Sequence, residues 1–335
     1  MDIAIVILNY NGKGYLEKFL PSVTANSQDC QVTVADNCST DDSLAFLKSN
    51  YPDLQTIEIP FNGGYSAGYN YALELIEAKY YVLLNSDIEV TPNWVRPIYE
   101  MMESDSTIAA TQPKILSYHN KNEFEYAGAG GGQLDFLGYP FCRGRIFETV
   151  ELDEGQYNDT TQVFWASGAC LFIRSDVYHK IGGLDNDFFA HMEEIDLCWR
   201  INNLGMKVMY NGNVTVYHVG GGTLPKSNPR KTYLNFRNGL SLLLKNLNTS
   251  QLFYTLFSRM ILDFVAALKF LVDGSGRDCW AVIKAVIHFI WLIPSNWKKR
   301  LHAKKEISLI QKDLIYPKSI VYQHFIKKKK LYKEL

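Results

Sequence analysis

Residues 80–90 read YYVLLNSDIEV. The apolar run Tyr80–Leu84 is too short for a globular helix and is cut off by the polar triplet Asn85-Ser86-Asp87, which together read as a buried strand and its exit turn. The same syntax occurs three times upstream. Ile3–Leu8 ends in Asn-Tyr-Asn-Gly, Gln31–Ala35 ends in DNCSTDDS (36–43), and Leu54–Ile59 ends in FNGGYSAGYN (61–70). Helical stretches are expected between them, over Tyr15–Val23, then up to Ser49 with Ser39 or Thr40 as its cap, then from the glycine-rich turn through Glu77. This β-α-β-α-β-α-β order specifies an α/β fold with an open, mostly parallel central sheet flanked by crossover helices. Every polar cluster falls just beyond the C-terminal end of a strand, the edge where such sheets bind ligands.

Those clusters carry the candidate chemistry. A carboxylate at Asp87, with Glu89 two residues on, suits a hard divalent cation that in turn holds diphosphate oxygens; the plain alternative is a polar turn capping the strand. Asp36 and Asn37 offer acceptors for a base or a ribose. Gly63, Gly64 and Gly68 permit close backbone approach at a helix N-terminus, where phosphate is favoured. The pattern is neither GxGxxG nor a P-loop, which argues against a dinucleotide or a Walker-type site.

Further along, residues 128–145 (GAGGGQLDFLGYPFCRGR) are expected to form a flexible loop over one side of the site. Gln162–Ile173 reads as a buried strand interrupted by small residues, and Trp165 within it would either stack on a sugar or fill the core. In HMEEIDLCWR (191–200), three carboxylates fall within four positions. On a helix, Asp196 and Arg200 stand at i,i+4 as a structural ion pair, and Ile195, Cys198 and Trp199 share a core face. His191 would be a neighbour of the acidic pair or a surface residue. Lys207–Tyr210 and Val214–Val219 are expected strands. His218, at the exit of the second, could reach a metal or a phosphate, or be an ordinary core or solvated histidine.

The net charge of −1 hides a split: residues 1–225 carry 13 Lys and Arg against 29 Asp and Glu, while residues 226–335 carry 21 against 6. The basic part holds two apolar stretches, Leu252–Val272, which includes Arg259, Asp263 and Lys269, and Ala281–Ile293, which is too short to span a bilayer. Lys298, Lys299, Arg300, Lys304 and Lys305 follow. A helix pair lying in an anionic membrane interface is the first expectation, and a helical subdomain packed on the core or on the second subunit of a homodimer is the alternative. The tetralysine at 327–330 reads as a solvated tail. The start, MDIAIVILNYNG, does not read as a signal peptide, and six scattered cysteines without a CxxC pair suit a reducing compartment. The expected location is therefore cytoplasmic, peripheral on the inner face of the cell membrane, and nucleic acid is not an expected partner.

Taken in order, VILNYNG (6–12), VADNCSTDDS (34–43), NGGYSAGYN (62–70), LLNSDIEV (83–90), SGACLFIRSDVYHKIGGLD (167–185), FFAHMEEIDLCWR (188–200), YHVGGGT (217–223) and FRN (236–238) resemble the family 2 glycosyltransferases with a GT-A fold, close to the bacterial rhamnosyltransferase-like branch. The resemblance covers about residues 1–240, leaving 241–335 as a basic, partly apolar helical region. It implies a nucleotide-sugar donor (dTDP, UDP or GDP), a divalent cation (Mn²⁺ or Mg²⁺) and inverting transfer to a hydroxyl of a glycan or lipid-linked acceptor in cell-surface polysaccharide synthesis. The donor base falls to Asp36, with contacts from Asn9, Asn11, Asn37, Gly63, Gly64 and Asn70. The metal motif reads Asn85-Ser86-Asp87, so Asp87 is the ligand and Asn85 turns to the ribose or a coordinated water, with His218 joining the metal or diphosphate. Arg237 would bind diphosphate or an anionic acceptor, while Trp165 and His191 face the acceptor. The base position falls on Glu194, with Glu193 as runner-up. Two other readings are a sugar-nucleotide nucleotidyltransferase and a non-catalytic glycan-binding protein of the same fold. The QxxRW motif of processive synthases is absent, so single additions are expected.

Overall fold

The computed structural model describes residues 1–220, 228–303 and 314–335. Gly221, Gly222 and Thr223 of the glycine run, together with Lys304 and Lys305, lie outside the described residues. The first half of the chain alternates as anticipated: β1 (Ile3–Asn9), α1 (Lys13–Asn26), β2 (Gln31–Asp36), α2 (Ser43–Asn50), β3 (Gln55–Glu58), α3 (Gly64–Leu73) and β4 (Tyr80–Asn85). Then come β5 (Ile88–Val90), α4 (Arg96–Ser104), β6 (Ile108–Ser117), β7 (Gly132–Asp135), β8 (Pro140–Cys142), β9 (Arg145–Ile146), β10 (Thr149–Val150), β11 (Thr160–Gln162), β12 (Cys170–Arg174) and α5 (Ser175–Lys180). The base-motif helix α6 (Glu193–Asn203) is followed by β13 (Lys207–His218), three long helices α7 (Pro229–Asn246), α8 (Thr249–Val272) and α9 (Gly276–Ala303), and β14 (Ile315–Tyr316).

The main sheet runs β11-β13-β6-β12-β4-β1-β2-β3, with β5 paired to β13. Strands β3, β2, β1 and β4 are parallel, as are β6 and β13, but β12 lies antiparallel between β4 and β6. The sheet is thus mixed. The physical reason is the route of the chain, which enters β12 from the ligand edge and must run back. The stretch 162–173 is accordingly not one strand but β11 and β12 separated by a turn at 167–169. Both faces of the parallel strands are covered. Ile3, Ile5 and Ile7 pack with Leu16, Leu20 and Trp94 on one side, while Ala4 and Val6 pack with Tyr69, Ala72 and Leu73 on the other.

Two sequence expectations are corrected here. Residues 128–145 are not a flexible loop but much of a second sheet, ordered β10-β9-β8-β7-β14. Their glycines serve close packing: a β-carbon at Gly132 would lie 2.1 Å from the Trp165 ring, and one at Gly138 would lie 2.5 Å from Leu243. Neither Ser39 nor Thr40 caps α2, whose N-cap is Asp42. The Ser39 hydroxyl instead accepts the Asn11 amide at 2.9 Å, and the Thr40 amide donates to Asn11 Oδ1 at 2.7 Å.

Helix α7 fastens the long helices to the catalytic core. Its Lys245 is buried and reaches Asp185 at 2.5 Å and Asp196 at 2.9 Å. Asp196, fully buried, also accepts from Arg200 Nε at 2.9 Å, the anticipated i,i+4 pair, and from Asn246 Nδ2 at 2.7 Å. Burial opposes the charge on Asp196, but Lys245 and Arg200 hold its carboxyl below the ordinary range. The stretch 281–293, expected to be too short to cross a membrane, is the middle of the 28-residue α9, the one described helix long and apolar enough to span. Its inner face is nevertheless engaged with protein: Asn296 donates to Ser241, and buried Arg300 donates to the Leu244 carbonyl at 3.0 Å. Removing one member of a buried ion cluster leaves the others uncompensated. Lys245→Met should therefore lower unfolding free energy by about 3–5 kcal/mol in urea denaturation, and a loss below about 1 kcal/mol would show that Asp185 and Asp196 do not depend on it.

Candidate active site

The C-terminal ends of β1 and β2 build a polar floor. Asn9, wholly buried, donates from Nδ2 to Asp36 Oδ2 at 2.9 Å, and Asp36 Oδ1 accepts the Ser39 amide at 2.8 Å. Asn11 adopts a φ of 50° and uses its side chain to bind the 40–41 backbone, so it shapes the loop. Asn37 donates to Asn62 Oδ1 and to the Gly64 carbonyl. Two acceptors, Asn9 Oδ1 and Asn37 Oδ1, are buried without a partner. Orphaned acceptors at a sheet edge suit the donor groups of a base or ribose.

The glycine-rich turn does something other than hold phosphate. The first amides of α3, on Tyr65 and Ser66, both point at the Phe189 carbonyl, at 2.7 and 3.3 Å. Gly64 (φ 77°) is required because a β-carbon there would lie 2.4 Å from that oxygen. Gly64 thus brings the loop before α6 against α3, while Gly63 makes room for Ala67 and the Phe61 ring, and the Tyr65 and Ser66 amides are already satisfied. Asn70 is likewise engaged elsewhere. It donates to the Leu184 carbonyl and Asn186 Oδ1, both at 2.7 Å, and accepts from Tyr178 and the Leu184 amide. Both donor-contact expectations give way to a structural role in pinning residues 184–189.

Asp87 follows β4 and stands against His218 because β5 pairs antiparallel with the end of β13, with Ile88 opposite His218. His218 Nε2 lies 3.1 Å from Asp87 Oδ1 and 3.4 Å from Asn85 Nδ2. Behind the ring, Nδ1 lies 3.4 Å from Oε2 of buried Glu125, a residue sequence reasoning missed. Burial would strip the imidazole of its proton, but the charges of Asp87 and Glu125 outweigh it and push the ring up to about 10. Asp87 is also buried, yet His218 and the Gly220 amide keep its carboxyl below the usual range. One carboxylate oxygen and one imidazole nitrogen at this separation fit a divalent cation, since adjacent ligands at ~2.1 Å on an octahedral ion stand ~3 Å apart. Glu125 is placed to hold the histidine tautomer whose Nε2 faces such an ion. Among the described residues no third His, Cys, Asp or Glu joins the pair, so donor oxygens and water would complete the shell. Glu89 is not part of it and pairs with Lys121.

Helix α6 begins at Glu193, after Met192 in the left-handed conformation (φ 72°). Glu193 is buried and Glu194 half-buried, each with one carboxylate oxygen lacking a partner. Burial raises both carboxyls, Glu193 further because Glu194 lies beside it, and Glu194 to about 7. The turn at 167–169 links this helix to the Asp87 strand. Tyr65, next to both glutamates in the field it experiences, donates from its hydroxyl to the Gly168 carbonyl at 2.6 Å. The following carbonyl, on Ala169, accepts the Asn85 amide at 2.9 Å. Glycine is needed at 168 because a β-carbon would lie 2.6 Å from that hydroxyl. Half-buried His191 has an unpartnered Nε2, and burial followed by the charge of Lys231 lowers its ring to about 4.

Two expected contacts are redirected. Trp165 is 3% exposed, donates to the Gln133 carbonyl and packs on Gly132, which makes it core rather than a sugar platform. Arg237 does not reach for a phosphate. Its guanidinium donates to the Asp187 and Phe188 carbonyls, to Asn238 Oδ1 and to the Tyr233 hydroxyl.

The model of the family described as Glycosyl transferase family 2 matches residues 4–182. Among curated relatives, the chain is 24% identical over 249 residues to the low-salt glycan biosynthesis hexosyltransferase Agl10 of Haloferax volcanii, covering 71% of this chain and 74% of that one. It is 24% identical over 235 residues to the N-acetylglucosaminyl-diphospho-decaprenol L-rhamnosyltransferase of Mycobacterium tuberculosis, covering 64% and 75%. It is 26% identical over 221 residues to the rhamnosyltransferase WbbL of Escherichia coli K12, covering 62% and 80%. Among solved structures, residues 1–349 of S. aureus TarS superpose with a TM-score of 0.57 at 13% identity, over 91% of this chain and 88% of that one. The mannosyltransferase PcManGT of Pyrobaculum calidifontis, solved with GDP-Man and Mn²⁺, gives 0.53 at 12% identity over 87% of each. At these identities the structures establish a shared fold. With its family model spanning more than half of the chain, the protein belongs to glycosyl transferase family 2 and has the GT-A fold.

Proposed function

We propose that this glycosyltransferase moves a sugar, with inversion, from a nucleotide-diphosphate donor to a hydroxyl of a lipid-linked glycan at the cytoplasmic surface of the membrane, in cell-surface polysaccharide synthesis. The observation that carries the reading is the pairing of two unlike centres along one sheet edge. The 167–169 turn touches both: its Ala169 carbonyl takes the Asn85 amide, two residues before Asp87, and its Gly168 carbonyl takes the hydroxyl of Tyr65, which feels the charges of Glu193 and Glu194. The relatives support the substrate class, since several are rhamnosyltransferases and one is a dTDP-rhamnosyl transferase. A dTDP-deoxyhexose is therefore the first donor to try, before UDP and GDP sugars.

Asn9, Asp36 and Asn37 would receive the nucleoside, with the unpartnered Asn9 and Asn37 oxygens taking its donor groups. Asp87 and His218 would hold Mn²⁺ or Mg²⁺, which when bound neutralises the charge growing on the departing nucleoside diphosphate. Glu194, the more accessible glutamate, takes the proton from the attacking hydroxyl. Its raised affinity for protons suits a base working near neutrality. Glu193, more buried, keeps its proton and spares the pair a second negative charge.

The lipid assignment rests on the outer face of the long helices. Phe253, Phe257, Phe264 and Val272 of α8 and Trp280 and Trp291 of α9 are 61–87% exposed, and large apolar side chains left bare in such number on adjacent helices mark an interaction surface. Lys269, Arg277, Lys284 and Lys298 stand exposed on the same two helices, as an anionic leaflet would favour. The start of α9 is tied to the start of α7, where Thr232 donates to Asp278 and Arg230 lies over the Phe189 ring of the loop before α6. Because α9 packs through Asn296 and Arg300, it lies in the interface rather than crossing it.

Glu194→Gln should reduce transfer ~10²–10⁴-fold while nucleotide-sugar binding persists, and full activity would overturn the base assignment. In the parent enzyme kcat should fall as pH drops through about 7, because only the deprotonated glutamate accepts the proton. Asp87→Asn should abolish the extra thermal stabilisation that Mn²⁺ adds to a nucleoside diphosphate; an undiminished Mn²⁺ effect would remove Asp87 from the metal site. Phe257→Glu combined with Trp291→Glu should release the protein from phosphatidylglycerol vesicles in co-sedimentation. If the parent protein ignores vesicles and is instead a dimer by light scattering that these changes dissociate, the face is an interface between copies.

A further inference from the structure

Between Phe188 and Met192 the chain takes a costly path. Phe189 (φ 66°, ψ −61°) is the centre of a γ-turn, closed by the Ala190 amide on the Phe188 carbonyl at 2.7 Å. His191 (φ 68°) and Met192 (φ 72°) are also in the left-handed region. None of the three is glycine, and such strained backbone persists only where the surroundings impose it. This loop ends where Glu193 begins α6, so its shape fixes where both carboxylates stand.

The surroundings that impose it come from α7. Asn238 is wholly buried, and its Nδ2 points at three carbonyls of the loop, those of Phe188 (3.0 Å), Ala190 (3.0 Å) and His191 (2.7 Å). Its Oδ1 accepts from Arg237 Nε at 2.9 Å and Nη2 at 2.7 Å, which orients the amide so that its donor end faces the loop. Arg237 adds bonds from Nη2 to the Asp187 carbonyl at 2.7 Å and the Phe188 carbonyl at 3.0 Å. From the other side, the Phe189 carbonyl is held by the Tyr65 and Ser66 amides. Left without these donors, the crowded carbonyls would turn to water and the loop would relax toward negative φ.

We propose that Asn238, oriented by Arg237, is a positioning residue for proton removal: it holds the strained 188–192 loop so that α6 presents its glutamates to the acceptor, and it takes no part in donor binding. This rests on the reading of Glu194 as the base. Asn238→Asp keeps the volume and the acceptor for Arg237 but turns a lone pair toward the three carbonyls. It should lower kcat ~100-fold, the scale of a ~1 Å misplacement, with KM for the nucleotide sugar and Kd for the nucleoside diphosphate unchanged. Because the effect acts through Glu194, Asn238→Asp should add nothing further in a Glu194→Gln background. Hydrogen exchange at the Tyr65 and Ser66 amides should speed up as the Phe189 carbonyl moves away. Parallel loss of donor affinity, full additivity with Glu194→Gln, or wild-type kcat in the folded variant would each overturn the proposal. Should the aspartate variant not fold, Arg237→Ala is read in the same assays, where ~10-fold lower kcat with unchanged donor binding supports the proposal and unchanged kcat overturns it. Failure of the base reading shows separately, as full activity in Glu194→Gln alone, and the amide exchange still reports on the clamp.

Discussion

A single carbonyl oxygen, on Phe189, joins the two halves of this enzyme. The N-terminus of α3 has amides that no residue within the helix can satisfy, and here the loop preceding α6 supplies the acceptor. That choice requires glycine at 64, where any side chain would collide with the oxygen. It requires positive φ at Phe189, and it needs buried donors from α7 to keep the neighbouring carbonyls company. The N-terminal α/β unit and the acid-bearing helix are therefore not separate modules placed side by side. They share one hydrogen-bonded joint, and the long C-terminal helices reach it through Lys245 as well as through Asn238.

A second constraint acts across the sheet. Asp87 and His218 are 131 residues apart, and they meet because β13 is long and bulged, with its register against β6 shifting between Asn211 and Thr215. The shift takes up residues 212–214, so that His218 comes to lie opposite Ser117 at the end of β6 with Val216–His218 paired to β5. Glu125 then closes the back of the imidazole. The ring is buried, yet the charges of Asp87 and Glu125 on either side raise its hold on a proton against the cost of that burial.

What the sequence disclosed follows from how each feature is encoded. Strands β1 to β4 were legible because apolar runs and polar exits are local signals, and Asp36, Asp87 and the Asp196–Arg200 pair stand where spacing alone puts them. The roles of Asn70, Trp165 and Arg237 were not legible, because each is decided by partners 32 to 116 residues away. Glu125 carried no signal at all, sitting in an unremarkable NEFEY stretch whose meaning comes from His218. The glycines of 128–145 misled for a physical reason: glycine permits flexibility, but it equally permits a tryptophan ring to lie flat on the backbone, and composition does not tell the two apart.

The pairing of β14 with β7 has a consequence in time rather than in space. Ile315 and Tyr316 lie parallel to Leu134 and Asp135, Ile320 donates its amide to Asp135, and the Tyr332 amide reaches Glu151 across 181 residues. Until those late residues leave the ribosome, the edge of β7 stays open and Asp135 and Glu151 lack these partners. The apolar helices α8 and α9 emerge earlier, while the small sheet that supports them is still unsealed. In a chain that folds as it is made, residues 315–332 would be the last to join this sheet and would act as its clasp.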